Sequence, residues 1–238
     1  MENTTRPEDR ILSVDIGGSH IKATILNIQG VNLFDYEKID TPARPEPEFI
    51  LQGIIELTRN FDSYDKVSVG FPGYVRNGIV YTAPNLGTEK WQNTPFAKMI
   101  EDKLQKPVKL VNDADMQGCG VVKGEGLEMV ITLGTGFGTA LLLNGILLPH
   151  LELAHHPITK RKSYDDYVGQ RALKNIGEVR WNKRLHSIIH TLKTVFNYDH
   201  LYIGGGNAKL VNFTLDKNIS IVTNRDGIRG GARLWKNG

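Results

Sequence analysis

Two glycine-rich turns hold the residues best suited to binding an anion. They lie at Asp15–His20 and Leu133–Thr139, and each stands between two apolar, β-branched runs, which predicts strand, tight turn, strand. Glycine has no Cβ, so backbone N–H groups in such turns can surround a phosphate. Two such turns far apart in the chain indicate two halves of one fold that hold a phosphate chain. The candidate phosphate contacts are Gly17, Gly18, Ser19, Gly134, Thr135 and Gly136.

The second turn does not match the common nucleotide-binding loops. No Gly-Lys-Ser/Thr follows Gly138, which excludes a Walker A loop. A strand rather than a helix is predicted next, which excludes the dinucleotide fingerprint. A glycine-rich hairpin corner without a ligand is the remaining alternative.

Asp15 ends the first predicted strand, next to Gly17 and Gly18. A carboxylate there would repel a phosphate unless a cation lay between them. The position therefore predicts Mg²⁺ bound through Asp15, by way of water, since Mg²⁺ keeps several of its waters. The alternative is an aspartate that hydrogen-bonds its own backbone in the turn.

Asn112 and Asp113 lie where a predicted buried strand meets a predicted helix. Ligand-binding groups collect at such strand ends in α/β sheets. Asp113 is a candidate general base that accepts a proton from a hydroxyl as its oxygen attacks phosphorus. The alternative is a helix N-cap, for which Asn and Asp are both favoured.

Three further segments carry polar groups that fit a sugar or a nucleotide. Glu152 and His155 lie in a compact polar cluster and can reach sugar hydroxyls, although a surface or satisfied core role is the default for a single histidine. Asn85, in a turn, can both donate to and accept from a sugar. The glycines after a predicted strand fit a nucleotide-facing helix start or a plain strand-to-helix turn equally well. They are Gly204, Gly205 and Gly206.

The composition predicts a small cytoplasmic enzyme. The chain has 238 residues, 40% of them apolar, and a net charge of +3, which is too small to indicate nucleic acid as a partner. Its apolar runs are too short to span a membrane, and the polar Met1–Arg10 segment is unlike a signal peptide. The single cysteine, Cys119, excludes an internal disulfide and a multi-cysteine metal site.

The same arrangement of elements occurs twice along the chain: a hairpin with a glycine turn, then alternating helices and strands. This recurrence predicts two α/β lobes, with mixed sheets and a cleft between them. The lobes are predicted at residues 1–113 and 114–238, with the last helix as a candidate to return to the first lobe. Strands are predicted at 11–26 (a hairpin), 31–36, 66–71, 78–82, 107–111, 127–133, 137–143 and 200–203. Helices are predicted at 48–60, at 95–105 with Thr94 as cap and Pro95 in first position, and at 114–122, 163–176, 178–196 and 224–234.

In this order the motifs resemble those of the ROK family of sugar kinases, from about Ile11 to Leu234. Residues 15–23 and 132–139 are similar to its two phosphate motifs, 110–115 to its catalytic-aspartate segment, 203–207 to its adenosine motif and 224–232 to its closing segment. The compact length and the segments 70–73, 83–86 and 112–118 resemble the polyphosphate/ATP glucokinase branch.

The resemblance implies a two-lobed actin-like ATPase (ribonuclease H-like) fold with a central cleft, and a phosphoryl transfer from ATP or polyphosphate to the 6-hydroxyl of glucose or a related hexose. It also implies a homodimer and Mg²⁺ near Asp15. Asp113 would be the general base, and Lys22 belongs to the first phosphate motif. The residues that would hold the sugar ring are Asn85, Asn112, Glu152 and His155.

Two departures from the family pattern bear on the sugar site. The family's cysteine-rich zinc motif is missing and Lys160–Ser163 stands in its place, so no structural zinc is predicted and a second sugar-binding glutamate is not identified. Ala154 replaces the usual glycine before His155, and its methyl group is expected to affect sugar affinity or sugar choice.

Two other functions compete with a kinase. A sugar-binding regulator of the same family would carry an N-terminal helix-turn-helix, and the first phosphate motif begins too early at Asp15 to leave room for one. A catalytically weak, kinase-like sugar-binding or interaction module is disfavoured because Asp15, Asp113 and both glycine turns are present.

Overall fold

The computed structural model describes residues 9–223 and 227–235. The described chain divides into two compact units. The first contains residues 9–116 and 228–235, and the second contains residues 117–223 and 227. The division falls inside a helix, α4, which spans Asp113–Val121.

The first unit is built on a mixed five-stranded sheet with the strand order β3-β2-β1-β4-β7. Strands β1, β4 and β7 are parallel, and β2 and β3 are antiparallel to their neighbours. Strands β5 and β6 form a separate small hairpin. The strands are β1 Ile11–Ile16, β2 His20–Leu26, β3 Glu37–Asp40, β4 Lys66–Phe71, β5 Val75–Arg76, β6 Ile79–Val80 and β7 Val108–Asn112. The helices are α1 Pro47–Thr58, α2 Thr88–Trp91 and α3 Phe96–Leu104.

Most apolar residues on the strands and helices of this unit form one large core cluster, and a smaller cluster joins Ile11, Leu26 and Ala232. Helix α1 begins with Pro47, whose fixed φ suits a first helical position. Below the end of β4, the rings of Phe71, Trp91 and Phe96 pack with centroids 4.7 to 6.2 Å apart. This aromatic cluster anchors the end of β4, at the edge of the sheet where the candidate site lies.

The last described segment packs onto the same sheet through two buried serines. The Ser13 hydroxyl donates to the Ile228 carbonyl and the Ser68 hydroxyl donates to the Gly231 carbonyl, both at 2.7 Å. A Cβ on Gly231 would overlap Ser13, so only glycine permits this approach. The helix here, α7, is Gly230–Arg233. The first three residues of the predicted 224–234 helix lie outside the described residues.

The second unit has its own mixed sheet, with the strand order β10-β9-β8-β13-β14. Helix α6 packs Trp181, Leu185 and Ile188 into its core and is interrupted at Gly177, where φ is 75°. The strands are β8 Leu127–Leu133, β9 Phe137–Leu143, β10 Ile146–Leu147, β11 Pro157–Thr159, β12 Lys162–Ser163, β13 His200–Gly204 and β14 Ile219–Ile221. Its further helices are α5 Tyr164–Val168 and α6 Gln170–Phe196.

Most predicted elements are present, and the break predicted between residues 176 and 178 is confirmed at Gly177. The single helix predicted at 163–176 is wrong, since Gly169 is extended (ψ 172°) and separates α5 from α6. The strand predicted at 31–36 is wrong, since the third strand is Glu37–Asp40. The Asn27 side chain accepts the N–H groups of Gln29 and Val31 and so holds the turn before this stretch. Within residues 31–36 a single isolated bridge forms, from Asn32 to Leu26, rather than a strand. In the described residues, no helix has the length and apolar character that a membrane crossing requires.

The predicted cap at Thr94 is also wrong. Helix α3 begins at Phe96, because the Thr94 carbonyl pairs with the N–H of Val80 at 2.9 Å and Pro95 precedes the helix. The short helix Thr88–Trp91 was not predicted, since four residues are too few to show a helical period.

Candidate active site

In the first unit, the two candidate catalytic carboxylates flank the same glycine. Asp15 pairs in register with Gly70 across β1 and β4. A Cβ on Gly70 would lie 3.5 Å from the Cα of Asp113 and 2.7 Å from Cε of Met116. Because β1, β4 and β7 are parallel, their carboxyl ends meet at one edge of the sheet, and this edge brings Asp15 and Asp113 together.

The first glycine turn is closed by a hydrogen bond from the Gly17 N–H to the His20 carbonyl at 2.9 Å. Thr41 braces it from outside: its hydroxyl donates to the Gly17 carbonyl at 2.6 Å, and its N–H donates to the Ser19 carbonyl at 2.9 Å. Gly18 and Ser19 are exposed at the tip of this turn. A Cβ on Gly18 would lie 4.0 Å from Cβ of Asn85, which places that asparagine beside the turn.

Burial raises the pKa of the Asp15 carboxyl, and Lys22, its register partner on β2, partly offsets this effect. The ionised carboxylate is therefore destabilised by desolvation and gains from a nearby cation. This fits Mg²⁺ held by one carboxylate, with phosphate oxygens and water as the other ligands. Among the described residues, no three or more His, Cys, Asp or Glu side chains are grouped to bind a metal ion.

Asn112 and Asp113 have different environments at the start of α4. Asn112 is only 7% exposed. Its amide donates to the Gly73 carbonyl at 3.0 Å and accepts from the Ala114 N–H at 2.8 Å, so the side chain holds the corner of the chain. Asp113 is exposed, with one carboxylate oxygen 2.8 Å from the same N–H. The helix N-terminus stabilises its negative charge.

In the second unit, the second glycine turn is held by Asp165 of α5. The Phe137 N–H donates to the Asp165 carboxylate at 2.6 Å, and a Cβ on Gly136 would lie 2.7 Å from the same oxygen. The Gln170 N–H donates to the Gly134 carbonyl at 3.0 Å. The turn is thus anchored to the helices that follow it, while Thr135 at its tip is exposed.

The glycines after β13 lie against this same turn. Gly205 has φ +87° and packs on the Leu133 backbone so closely that a Cβ would overlap it. The Asn207 N–H donates to the Leu133 carbonyl at 2.9 Å. Gly206 is exposed and a Cβ there would contact nothing within 4 Å. The second unit therefore brings the Gly204–Gly206 segment to its phosphate turn.

Glu152 lies between two histidines. Its two oxygens are 3.5 Å from Nε2 of His150 and 3.8 Å from Nε2 of His155. The contact with His150 is the main cause that lowers the pKa of Glu152, against the opposing effect of burial. Ala154 lies in a 3₁₀ turn, Leu153–His155, a conformation that does not require glycine.

Asp165 was missed by the sequence analysis. Its pKa is raised chiefly by burial, and the charges of His155 and Glu152 act on it, so it belongs to the same polar cluster. A signal was present: Ser163 and Asp166 form a capping box that fixes the start of α5, so Asp165 lies in its first turn. In the neighbouring β11–β12 hairpin, Lys160, Arg161 and Lys162 are exposed.

Known proteins are similar to this chain over nearly its whole length. The polyphosphate glucokinase of Mycobacterium tuberculosis (strain CDC 1551 / Oshkosh) is 28% identical over 221 residues, which cover 89% of this chain and 82% of that protein. The crystal structure of an inorganic polyphosphate/ATP-glucomannokinase from Arthrobacter sp. strain KM is 27% identical, with a TM-score of 0.83 over 94% of this chain and 97% of that one.

A second solved structure supports the fold alone. The ROK family glucokinase from Streptomyces griseus, in complex with glucose and AMPPNP, is 19% identical, with a TM-score of 0.80 over 96% of this chain and 100% of that one. The predicted fold class is confirmed: the chain has mixed α/β sheets and the actin-like ATPase fold. The ROK family model matches residues 11–151, more than half of the chain and the stretch that carries both glycine turns, Asn112 and Asp113. The chain therefore belongs to the ROK family.

Proposed function

We propose that this protein is a hexokinase-type phosphotransferase that transfers a phosphoryl group from ATP or polyphosphate to the 6-hydroxyl of glucose or a related hexose. The protein from M. tuberculosis is a polyphosphate glucokinase, and the one from Arthrobacter is a polyphosphate/ATP-glucomannokinase. The similarity to these two kinases supports a hexose as the acceptor. Both ATP and polyphosphate are candidate donors.

The observation that carries the proposal is the pair of carboxylates around Gly70. Phosphoryl transfer needs a base near the attacking hydroxyl and a cation near the phosphates. Asp113 is exposed at the start of α4, and Asp15 lies beside the first glycine turn. One edge of the sheet thus supplies a group for each task, and a single strand, β4, separates the strands that carry Asp15 and lead into Asp113.

The other residues are assigned by their chemistry. Asn85 and the cluster of Glu152, His155 and Asp165 hold the sugar hydroxyls, since carboxylates and amides pair well with O–H groups. The Asn112 side chain fixes the backbone at the start of α4 through its bonds to Gly73 and Ala114. The second N–H of its side-chain amide is the group that would donate to the sugar. The phosphate contacts are Gly17, Gly18, Ser19, Lys22, Gly134, Thr135, Gly136 and Gly204–Gly206.

In the reaction, the 6-oxygen of the sugar forms a bond to the terminal phosphorus, and the bond from that phosphorus to the rest of the donor breaks. Asp113 accepts the proton that leaves the 6-hydroxyl. Backbone N–H groups of the glycine turns stabilise charge on the phosphate oxygens. Mg²⁺ bound through Asp15 and water would neutralise part of that charge.

The test is an assay for glucose 6-phosphate with glucose and Mg²⁺, run in parallel with ATP and with polyphosphate. Turnover with either donor supports the proposal and identifies the donor. Mannose, fructose and N-acetylated hexoses then define the acceptor. Sugar binding without turnover under all these conditions would favour a sugar-sensing member of the family instead.

A further inference from the structure

We propose that His150 is a positioning residue, which holds the Glu152 carboxylate so that it can accept hydrogen bonds from a sugar hydroxyl. The inference rests on the proposed function, because it assigns a partner to a residue of the proposed sugar site.

The two histidines beside Glu152 differ in distance and in exposure. Nε2 of His150 lies 3.5 Å from one oxygen of Glu152, and Nε2 of His155 lies 3.8 Å from the other oxygen. The side chain of His150 is 6% exposed, whereas that of His155 is 60% exposed. A buried imidazole has few orientations, which fixes the oxygen that it contacts. The other oxygen is the one that lies near the exposed ring of His155.

Burial alone would raise the pKa of Glu152 and so disfavour its ionised form. A half-buried carboxylate loses hydration, which favours its neutral form and would leave it a poorer acceptor. The His150 contact outweighs this, since the pKa of Glu152 is lowered, with His150 as the first cause. Facing Glu152 are His150 and His155 from its own segment and Asp165 from α5, whose charge interacts with that of Glu152.

A positioning role predicts a specific split between binding and turnover. The His150→Leu variant leaves Glu152 buried without this donor, so the dissociation constant for glucose rises on the order of tenfold, as for the loss of one hydrogen bond to a charged group. The turnover number at saturating glucose changes little, because Asp113 and the glycine turns are untouched. Since the pKa of Glu152 rises, the pH below which glucose binding weakens also moves upward.

The conservative variant separates this role from a packing role. Glutamine places an amide N–H near the position of Nε2 and does not titrate, so His150→Gln is expected to recover most of the glucose affinity at pH 8. A packing role alone would lower the melting temperature and leave the pH dependence of glucose binding unchanged. His200→Gln is the matched control, since His200 is partly buried and bonded to Ser220 at 3.0 Å, far from the cluster in sequence.

The experiment measures glucose binding by tryptophan fluorescence and turnover by the coupled assay, from pH 5 to 9, in the wild type and the three variants. The carboxyl ¹³C signal of Glu152, assigned with Glu152→Gln, gives its titration directly in the full chain. Unchanged affinity and pH dependence in His150→Leu would overturn the inference. A wild type that turns over no hexose would refute the proposed function instead, and an unshifted Glu152 titration in His150→Leu would still overturn the inference.

Discussion

The carboxylate of Asp165 occupies the space that a side chain on Gly136 would need, with its oxygen 2.7 Å from the Cβ position of that glycine. The same oxygen accepts the N–H of Phe137 at 2.6 Å. The second glycine turn is therefore built against the first turn of α5. A residue of the proposed sugar cluster is thereby a direct support of the proposed phosphate turn.

Gly136→Ala is expected to destabilise the protein by about 1–3 kcal/mol, as for overpacking in a rigid site. It should also raise the KM for the phosphoryl donor, because the turn must move. Thermal unfolding and donor kinetics measure the two effects. Gly134→Ala is the comparison, since a Cβ there would contact nothing within 4 Å, and its loss of stability should be smaller.

A double-mutant cycle tests whether Asp165 is the cause. If overlap with the Asp165 carboxylate causes the loss of stability, Gly136→Ala should lower the unfolding free energy by less in an Asp165→Ala background. Additive effects of the two substitutions would contradict this explanation.

The adjacent glycines after β13 should respond very differently to alanine. Gly205→Ala is strained by φ +87° and overlaps the Leu133 backbone, so a loss of about 2 kcal/mol or more is expected. Gly206→Ala has open space and should change the unfolding free energy little. Chemical denaturation of both variants checks the difference. Equal losses of unfolding free energy in the two variants would show that the close approach of Gly205 to the Leu133 backbone is not the reason for a glycine there.

Asp15→Asn is expected to raise the melting temperature at pH 8 while it weakens Mg²⁺-dependent turnover. The ordinary pKa of this carboxyl is 3.8, and burial raises it in the folded protein. Between those two values the folded state binds more protons than the unfolded state, so stability falls as the pH rises through this window. Asparagine does not ionise and avoids that loss.

The gain from Asp15→Asn should therefore shrink as the pH falls towards 3.8, because the carboxyl is then largely protonated in the folded state and increasingly protonated in the unfolded state. Melting temperatures measured from pH 4 to 8 test this trend. Asp102→Asn, at an exposed carboxylate paired with Lys98, serves as the control. A variant that is less stable than the wild type at pH 8 would refute the assigned cost of burial.

Asp113→Asn should lower the turnover number by about 10²–10⁴-fold, the range for loss of a general base. The amide keeps the shape of the side chain but cannot take the proton. Glucose binding, measured by fluorescence, should remain close to that of the wild type. Near-normal turnover would show that another group is the base, and Asp102→Asn again controls for the loss of one carboxylate.

Local patterns were enough to find many of the elements and the two glycine turns. Alternating and continuous apolar runs indicated β1, β2, β4 and β8, and Gly177 was identified as a break. The patterns failed where hydrogen bonds that a residue pattern does not show decide the local structure. After the turn that Asn27 holds, residues 31–36 form a single isolated bridge, from Asn32 to Leu26. The Val80 N–H pairs with the Thr94 carbonyl before α3 begins.

The sequence by itself determined the candidate functional groups: Asp15 beside a glycine turn, Asp113 at a strand-to-helix junction, and Glu152 with His155. These are features of residue type and short spacing, which a chain carries before it folds. Only the tertiary structure decided which groups meet. Strand pairing put Gly70 between Asp15 and Asp113, and packing of α5 brought Asp165 to Gly136. Contacts between residues far apart in the chain depend on sheet order and helix packing, which a single sequence pattern does not encode.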